Sequence, residues 1–555
     1  MIYNGAGGSW KLRKAAPLRR LFSLEPDPAD NTLPRMNSQQ LHILFVVGLL
    51  HLPAAGPLGA AEPAKASGVP VANGVVLPRR PVAAAITEAM QFLKKADGGY
   101  VPGQSNGELA GYFTSAFVNP DGSRSQRALS FPARQHAYFM FTFLRYYAYT
   151  GEREWLLRAR DLADWNLGHS TPSGAAYGNL PYSTFSNGRP GGSRDEDSIE
   201  PDKAAFIGSA YLALYEADSQ KKYLDGARAI AETLVRQQRK DGSWPFRVLP
   251  EDGSVRQDFG GAPVFMVEFF ETMRRHDDQP AYRRAHDRAL KLMLQRNVEK
   301  NLWGTYHEDI RLKEEGYLSA EPMSFTAAYL FRQATDQPKY IEMGRRILSR
   351  MEERLVHTDG HAAAPAPAVA EQAGFDHIMP GHTARYCLAL ANLYSITRDE
   401  QVKRRALSGI NALTYMQSPA GLFRTFFHSV NPKKGKANRP DWYSQHLYTV
   451  CHVLEAMSSL PELAPNRQDH LLGSSVCPQN VRYSAGQVRF ETIAASRAVL
   501  KLSFVPKAVR AGAHDLQLLK AAPAEGQVGW WFDAPAGVLT IRHNLGPVEV
   551  LSASR

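Results

Sequence analysis

The sequence predicts a mostly α protein, an (α/α)6 toroid of helical hairpins followed by a small C-terminal all-β, sandwich-like module. Three observations predict it. A helix–turn–helix unit recurs through the middle of the chain, the two helices of each unit differ in polarity, and the final stretch switches to short β-rich runs.

The repeat is visible in segments such as YAYTGEREWLLRARDLA, YEADSQKKYLDGARAIA and FRQATDQPKYIEMGRRI. Each ends one apolar helix, turns through a few polar residues and restarts at an aromatic or apolar residue. The restarts are Trp155, Tyr223, Tyr282, Tyr340 and Val402, spaced 68, 59, 58 and 62 residues apart. Four residues later comes a small residue (Ala159, Ala227, Gly344, Ala406) that permits close helix packing, with His286 the exception. A fixed period of paired helices marks a repeat architecture.

First helices are expected near 134–149, 202–217, 259–275, 320–334 and 381–396, and second helices near 153–167, 221–239, 280–296, 338–355 and 400–416. Two unpaired helices, near 82–95 and 442–459, complete a sixth hairpin if the ends of the array meet. Closure leaves no unpaired apolar face, which an open solenoid would have to cap. The first helices are apolar nearly all round and the second carry charge on one side, so the first form the inner ring and the second the outer.

Past the helices, residues 499–505, 529–532 and 538–543 read as strands. The domain boundaries expected are 1–66 for an N-terminal extension and signal peptide, 67–470 for the toroid, and 471–555 for the β module. Residues 41–52 form a short apolar stretch preceded by basic residues and followed by Pro53 and small residues up to Ala61. This is the pattern of an export signal, too short for a comfortable membrane span. A periplasmic or secreted protein follows, with no stable membrane insertion after signal removal. Met36 lies just upstream and is an alternative start.

The net charge is +11, with six basic and three acidic residues in the first 61 positions. A moderately cationic surface favours anionic partners. No basic stripe interleaved with aromatics points to nucleic acid. The three cysteines (Cys387, Cys451, Cys477) are too few for a disulfide framework, and no pair has zinc-site spacing. No metal or other cofactor is predicted; acidic loops are present, but none has the ligand spacing of a calcium site.

Connections within hairpins are short, whereas those between hairpins are long: 168–201, 240–258, 297–319, 356–380 and 417–441. All five lead from an outer helix to the next inner one and so lie on one rim, where binding and catalysis concentrate. The inner-helix N-termini open onto the same rim. This topology selects Asp202, Glu321, His382, Tyr443 and His446 as candidate catalytic residues. Arg134, His136, Tyr138, Arg385 and Trp442 are candidate substrate-binding residues, and the rim loops add Trp244, Trp303 and Tyr306. Arg134/Tyr138 and His382/Arg385 are spaced to share a helical face.

From about residue 82 to 460 the repeat, in phrases such as AAFIGSAYLALYEADSQKKYLDGARAIAETL, resembles the six-hairpin glycosidase superfamily and the related toroidal polysaccharide lyases and uronyl epimerases. The resemblance implies a carbohydrate-active enzyme. The first expectation is a glycoside hydrolase acting on an acidic or sulfated poly- or oligosaccharide, with Asp202 and Glu321 as the carboxylate pair. The alternatives are a lyase or uronyl C5-epimerase abstracting a proton through Tyr443, His446 or His382, and a glycan-binding protein without catalysis.

Overall fold

Apolar stripes repeating at helical spacing wind the described residues between 82 and 456 of the computed structural model into twelve long α-helices and one short one. They are α1 (Val82–Ala96), the short α2 (Gly111–Thr114), α3 (Ala137–Thr150), α4 (Arg153–Gly168), α5 (Pro201–Asp218), α6 (Lys221–Gln237), α7 (Pro263–His276), α8 (Pro280–Leu292), α9 (Ala320–Arg332), α10 (Lys339–Arg354), α11 (Pro380–Thr397), α12 (Glu400–Leu413) and α13 (Tyr443–Ala456). The structure describes residues 69–104, 109–125, 128–191, 197–303, 318–373, 375–427 and 440–553. The apolar stretch 41–52, the acidic runs 194–196 and 307–315, and Tyr306 lie outside them.

The odd-numbered helices from α3 to α13 form a closed inner ring, each packing on the next and α13 returning to α3. The even-numbered helices from α4 to α12 lie outside their partners, and α1 takes the sixth outer place beside α13. Burial follows the polarity of the sequence. α9 is buried from Ala320 through Phe331, whereas α10 buries only Tyr340, Gly344, Ile347, Leu348 and Met351. The small residues after each restart seat the outer helices: Ala159, Ala227 and Ala406 are fully buried, and a β-carbon on Gly344 would fall 2.4 Å from the Phe331 ring. Ion pairs lace the outer layer, as in Lys94–Glu154 at 2.7 Å and Arg228–Asp277 at 2.8 Å.

The hairpin turns stay short because the inner helix stops abruptly. Gly151, Ser219 and Arg398 follow α3, α5 and α11 in the left-handed conformation, each donating its N–H back to a carbonyl of the last turn. One expected boundary shifts. Residues 255–260 pair as a strand with 245–248, so α7 begins at Pro263 rather than near 259. Pro263 supplies the first-turn start that Asp258–Gly260 could not.

The C-terminal strands make two antiparallel sheets. One orders 470–474, 496–501, 538–543 and 529–533; the other orders 479–484, 487–492, 546–552, 506–511 and 514–515. Phe490 of one sheet meets His543 of the other at 5.8 Å. This module docks on the C-terminal ends of the inner helices. His470 Nδ1 donates to Tyr149 O, the Tyr147 hydroxyl accepts from Val481 N, and Glu216 accepts from Cys477 N at 2.8 Å. Contacts gather residues 66–555 into one compact unit. The module therefore faces the end of the ring opposite the long loops.

Candidate active site

Each inner helix sends a first-turn or second-turn side chain toward the ring axis. Six of them close a circle: Tyr138 on α3, Phe206 on α5, Phe265 on α7, Phe325 on α9, Arg385 on α11 and Tyr448 on α13. Successive ring centroids lie 4.7, 5.0 and 4.9 Å apart from Tyr138 to Phe325. The Arg385 guanidinium stands 4.9 Å from Phe325 and 5.1 Å from Tyr448, and Tyr448 meets Tyr138 at 3.8 Å. This circle is buried all round and makes the floor of the rim. A guanidinium fits among aromatic faces because their quadrupoles attract a cation.

Charged groups cluster about that floor. Glu321, at the start of α9, pairs with Arg134 and lies 3.5 Å from Arg385. Arg385 donates to the Tyr138 hydroxyl at 3.1 Å, and that hydroxyl donates to Glu321 at 3.2 Å. Burial alone would push the Glu321 carboxyl up, but Arg134, then Arg385 and Lys203, hold it well below the usual range. Asp202 accepts from Ala262 N at 2.9 Å and faces Lys203 Nζ at 3.3 Å. Its carboxyl is raised, because burial outweighs the lysine. Glu200 pairs with Arg247 at 2.7 Å.

His382 occupies the start of α11. Arg385 Nη1 donates to its Nδ1 at 3.1 Å. Arginine cannot accept, so the proton of the neutral ring sits on Nε2. Burial lowers the ring's pKa, and Arg385 adds to this against the opposing pull of Glu371. Nε2 has no hydrogen-bond partner among the described residues and faces Glu371 Oε1 across 3.8 Å. Glu371 lies on strand 368–372, which the connection between α10 and α11 folds against strands 356–357 and 375–378. It is 14% exposed, against 1% for His382, and so reaches from the floor toward solvent.

The structure thus brings together Arg134, Tyr138, Glu321, His382 and Arg385, with Asp202 linked to them through Lys203. Other expected residues stand elsewhere. His136 points outward, between Asn166 and Trp165 of α4, and burial drives its pKa to about 4. His446 spends both ring nitrogens on backbone, accepting from Phe423 N and donating to Ala89 O, and its pKa also falls to about 4. Tyr443 packs against Tyr112 and Phe139, with burial raising its hydroxyl pKa. Trp244 donates to Leu234 O and is buried beside Phe270, and Trp303 donates to Asn301. Trp244 thereby ties its loop to α6, whereas the Trp303 bond stays within its own loop. Trp442 is half-buried and stacks on Phe131 at 5.5 Å.

Residues not singled out from sequence complete the site: Glu371, Tyr448 and Gln445, with His452 beneath, its Nε2 accepting from Arg385 at 3.3 Å. Gln445, Tyr448 and His452 share one face of α13, a spacing that could have flagged them.

No family model matches the sequence, and no curated protein matches it. Among solved structures, a D-mannose isomerase aligns over 68% of this chain and 96% of its own at 15% identity, with a TM-score of 0.53. The cellobiose 2-epimerase of Spirochaeta thermophila DSM 6192 aligns over 69% and 96% at 12% identity, also at 0.53. A sugar epimerase from a ruminal bacterium aligns over 67% and 98% at 12% identity, at 0.51. With its inner ring closed by α13 against α3 and its outer ring completed by α1, the chain shares the (α/α)6 toroid fold of these structures.

Proposed function

We propose that this chain is a carbohydrate-active enzyme that moves a proton at a carbon beside a sugar carbonyl, as an isomerase or epimerase. The observation that carries the reading is the pairing of a neutral, Nε2-protonated His382 with the partly exposed carboxylate of Glu371. A carboxylate base and a neutral imidazole donor are what enolisation requires. Glu371 takes the proton from the carbon next to the carbonyl of an open-chain sugar. The His382 Nε2–H hydrogen-bonds the carbonyl oxygen as charge grows there. Arg385 fixes the tautomer and, being cationic at 3.1 Å, disfavours an imidazolium. Glu371 then returns the proton to the neighbouring carbon while His382 Nε2 passes the hydroxyl proton from one enediol oxygen to the other, which isomerises the sugar. If the enediolate first turns to present its other face, the proton returns to the same carbon and epimerises it.

The four cations beside the floor already face carboxylates: Arg134 and Arg385 face Glu321, Lys203 faces Asp202, and Arg247 faces Glu200. Drawing any of them onto a uronate or sulfate would leave a buried carboxylate unpaired. This supports a neutral sugar over the anionic glycan that net charge suggests. The related enzymes' names, an isomerase and two epimerases of sugars, point the same way. Export through the segment at 41–52 is part of the same reading and places the substrate outside the cytoplasm.

Hydrolysis is the second reading. Glu200, Asp202, Glu321 and Glu371 stand on one rim, and burial raises Asp202 as it would a general acid. Incubating the protein with neutral and uronate-containing mono- and oligosaccharides separates the classes. An isomerised or epimerised sugar without new reducing ends, with solvent deuterium incorporated at the reacting carbon, is the expected result. New reducing ends would replace it with hydrolysis, and an unsaturated-uronate absorbance with lyase chemistry. Binding without turnover would leave a glycan-binding protein.

A further inference from the structure

Among the buried groups of the rim with unused hydrogen-bonding capacity, two lie on neighbouring inner helices beside the aromatic floor. One is His382 Nε2; the other is Oε1 of Gln445, which is 5% exposed and has no partner among the described residues. Gln445 begins the stripe Gln445–Tyr448–His452 on α13. Tyr448 and His452 demonstrably face the axis, through Tyr138 and Arg385. Gln445 lies one turn nearer the rim on that same face, above the aromatic floor. It stands beside His382 because α11 and α13 approach closely at Gly381. A β-carbon there would fall 2.5 Å from Gln445 Oε1 and 2.8 Å from Tyr448 Cβ. An unpaired buried amide oxygen is costly unless something supplies a donor. Sugar hydroxyls are such donors, and aromatic faces beneath them accept the apolar side of the ring.

We infer that Gln445 determines sugar specificity, its Oε1 accepting from one hydroxyl and so orienting the sugar against His382 and Glu371. The inference rests on the reading of this rim as a neutral-sugar site. It treats Gln445 as a binding residue that takes no part in proton transfer. A site built to bond a hydroxyl discriminates strongly against an analogue that lacks it, because the protein group is then left unpaired.

The test is calorimetric titration of the full chain with glucose, mannose and cellobiose, and with the monodeoxy derivatives of whichever binds. Gln445→Leu is expected to weaken the parent sugar about tenfold or more, while Gln445→Glu, which keeps an acceptor, stays within about threefold of the wild type. One monodeoxy sugar should bind wild type and Gln445→Leu equally weakly, which loss of packing alone would not produce. Circular dichroism and melting temperature check that both variants fold. His382→Asn in the same titrations keeps binding and loses turnover if the proton-transfer reading holds. Affinity unchanged in Gln445→Leu for every sugar that binds would overturn the inference and leave that reading standing. Weakened binding in Gln445→Leu, with no turnover by the wild type, would sink the reading and keep the inference. No binding of any of the sugars to the wild type would remove both.

Discussion

The two ends of the ring are built from the same six helices and use charge in opposite ways. At the loop-bearing rim, arginines and carboxylates meet over an aromatic floor, and His382 Nε2 and Gln445 Oε1 are among the buried groups left unsatisfied there. At the far end, charge crosses from helix to helix. Arg145 on α3 meets Glu455 on α13 at 2.7 Å, Arg332 on α9 lies 4.0 Å from Glu455, and Arg332 also pairs with Glu268 on α7. The β module closes over the neighbouring helix ends there, with Glu216 as its anchor. Spent polar groups fasten a structure, and unspent ones are available to a ligand. The far end, though Tyr149 Oη is unpaired there among the described residues, is fastened by ion pairs and by the β module, whereas the proposed function makes the rim the receptor.

The sharpest way to break the contrast is to remove the charge both roles share at the rim. Glu321 is 2% exposed, holds Arg134, and has Arg385 3.5 Å away. Glu321→Ala strands two guanidiniums in a buried floor. Destabilisation of about 3–5 kcal/mol is expected, read as a drop in the denaturation midpoint. Removing an equally charged but outer residue, Glu154, whose side chain is 34% exposed, should cost no more than about 1 kcal/mol. Equal losses in the two variants would mean that the rim cluster is ordinary surface charge.

Catalytic substitutions sharpen the receptor half. Glu371→Gln should lower turnover about 10²–10⁴-fold while the melting temperature hardly moves, since Gln keeps the shape of the side chain and the contact it replaces, to His382, is as long as 3.8 Å. A Glu371→Gln variant with full activity would end its assignment as the base.

The contrast also explains what could be read from the sequence. The ring was legible because the helical period and the inner–outer difference in polarity are local signals, repeated five times over. The strand at 255–260 was not, since its pairing with 245–248 depends on a non-local ladder that no periodicity announces. At the rim, Arg134, Tyr138, Glu321, His382 and Arg385 were found from their place at inner-helix starts. The same rule also selected His136, Tyr443 and His446, which face away from the axis. An inner helix apolar on every side carries no stripe to fix which side is which, so the phase of its first turn stays hidden. Glu371 escaped because it sits on a hairpin strand inside a long connection, where neither helical spacing nor a motif marks it.

Packing between the layers supplies a third, smaller effect. Gly344 lets α10 settle on Phe331 of α9. Gly344→Val should destabilise by about 1–3 kcal/mol through overpacking, with substrate affinity unchanged because the contact lies away from the rim. A change in sugar affinity without loss of stability would show that the layers transmit more to the site than this division of roles allows.

The smallest expected effect separates the two ends by pH. Burial pushes Glu268, at the far end, from the ordinary 4.5 up to about 7, with Arg332 only partly opposing. The folded chain therefore holds this proton more tightly than the unfolded one. Glu268 stabilises fully below about pH 4.5, and its contribution is lost as pH rises through about 7. His136 and His446 have the opposite sign. Their pKa values fall from 6.5 to about 4, so their contribution is present above 6.5 and is lost as pH drops toward 4. Glu268→Gln, a permanent stand-in for the protonated acid, should melt at a higher temperature than wild type at pH 8, and the gap should close by about pH 5. His446 is held by two backbone hydrogen bonds, so the acid limb of the stability profile should survive unchanged in Glu268→Gln. A gap that persists at pH 5 would place the effect of Glu268 in packing rather than in its proton, and the far end would then be held by shape more than by charge.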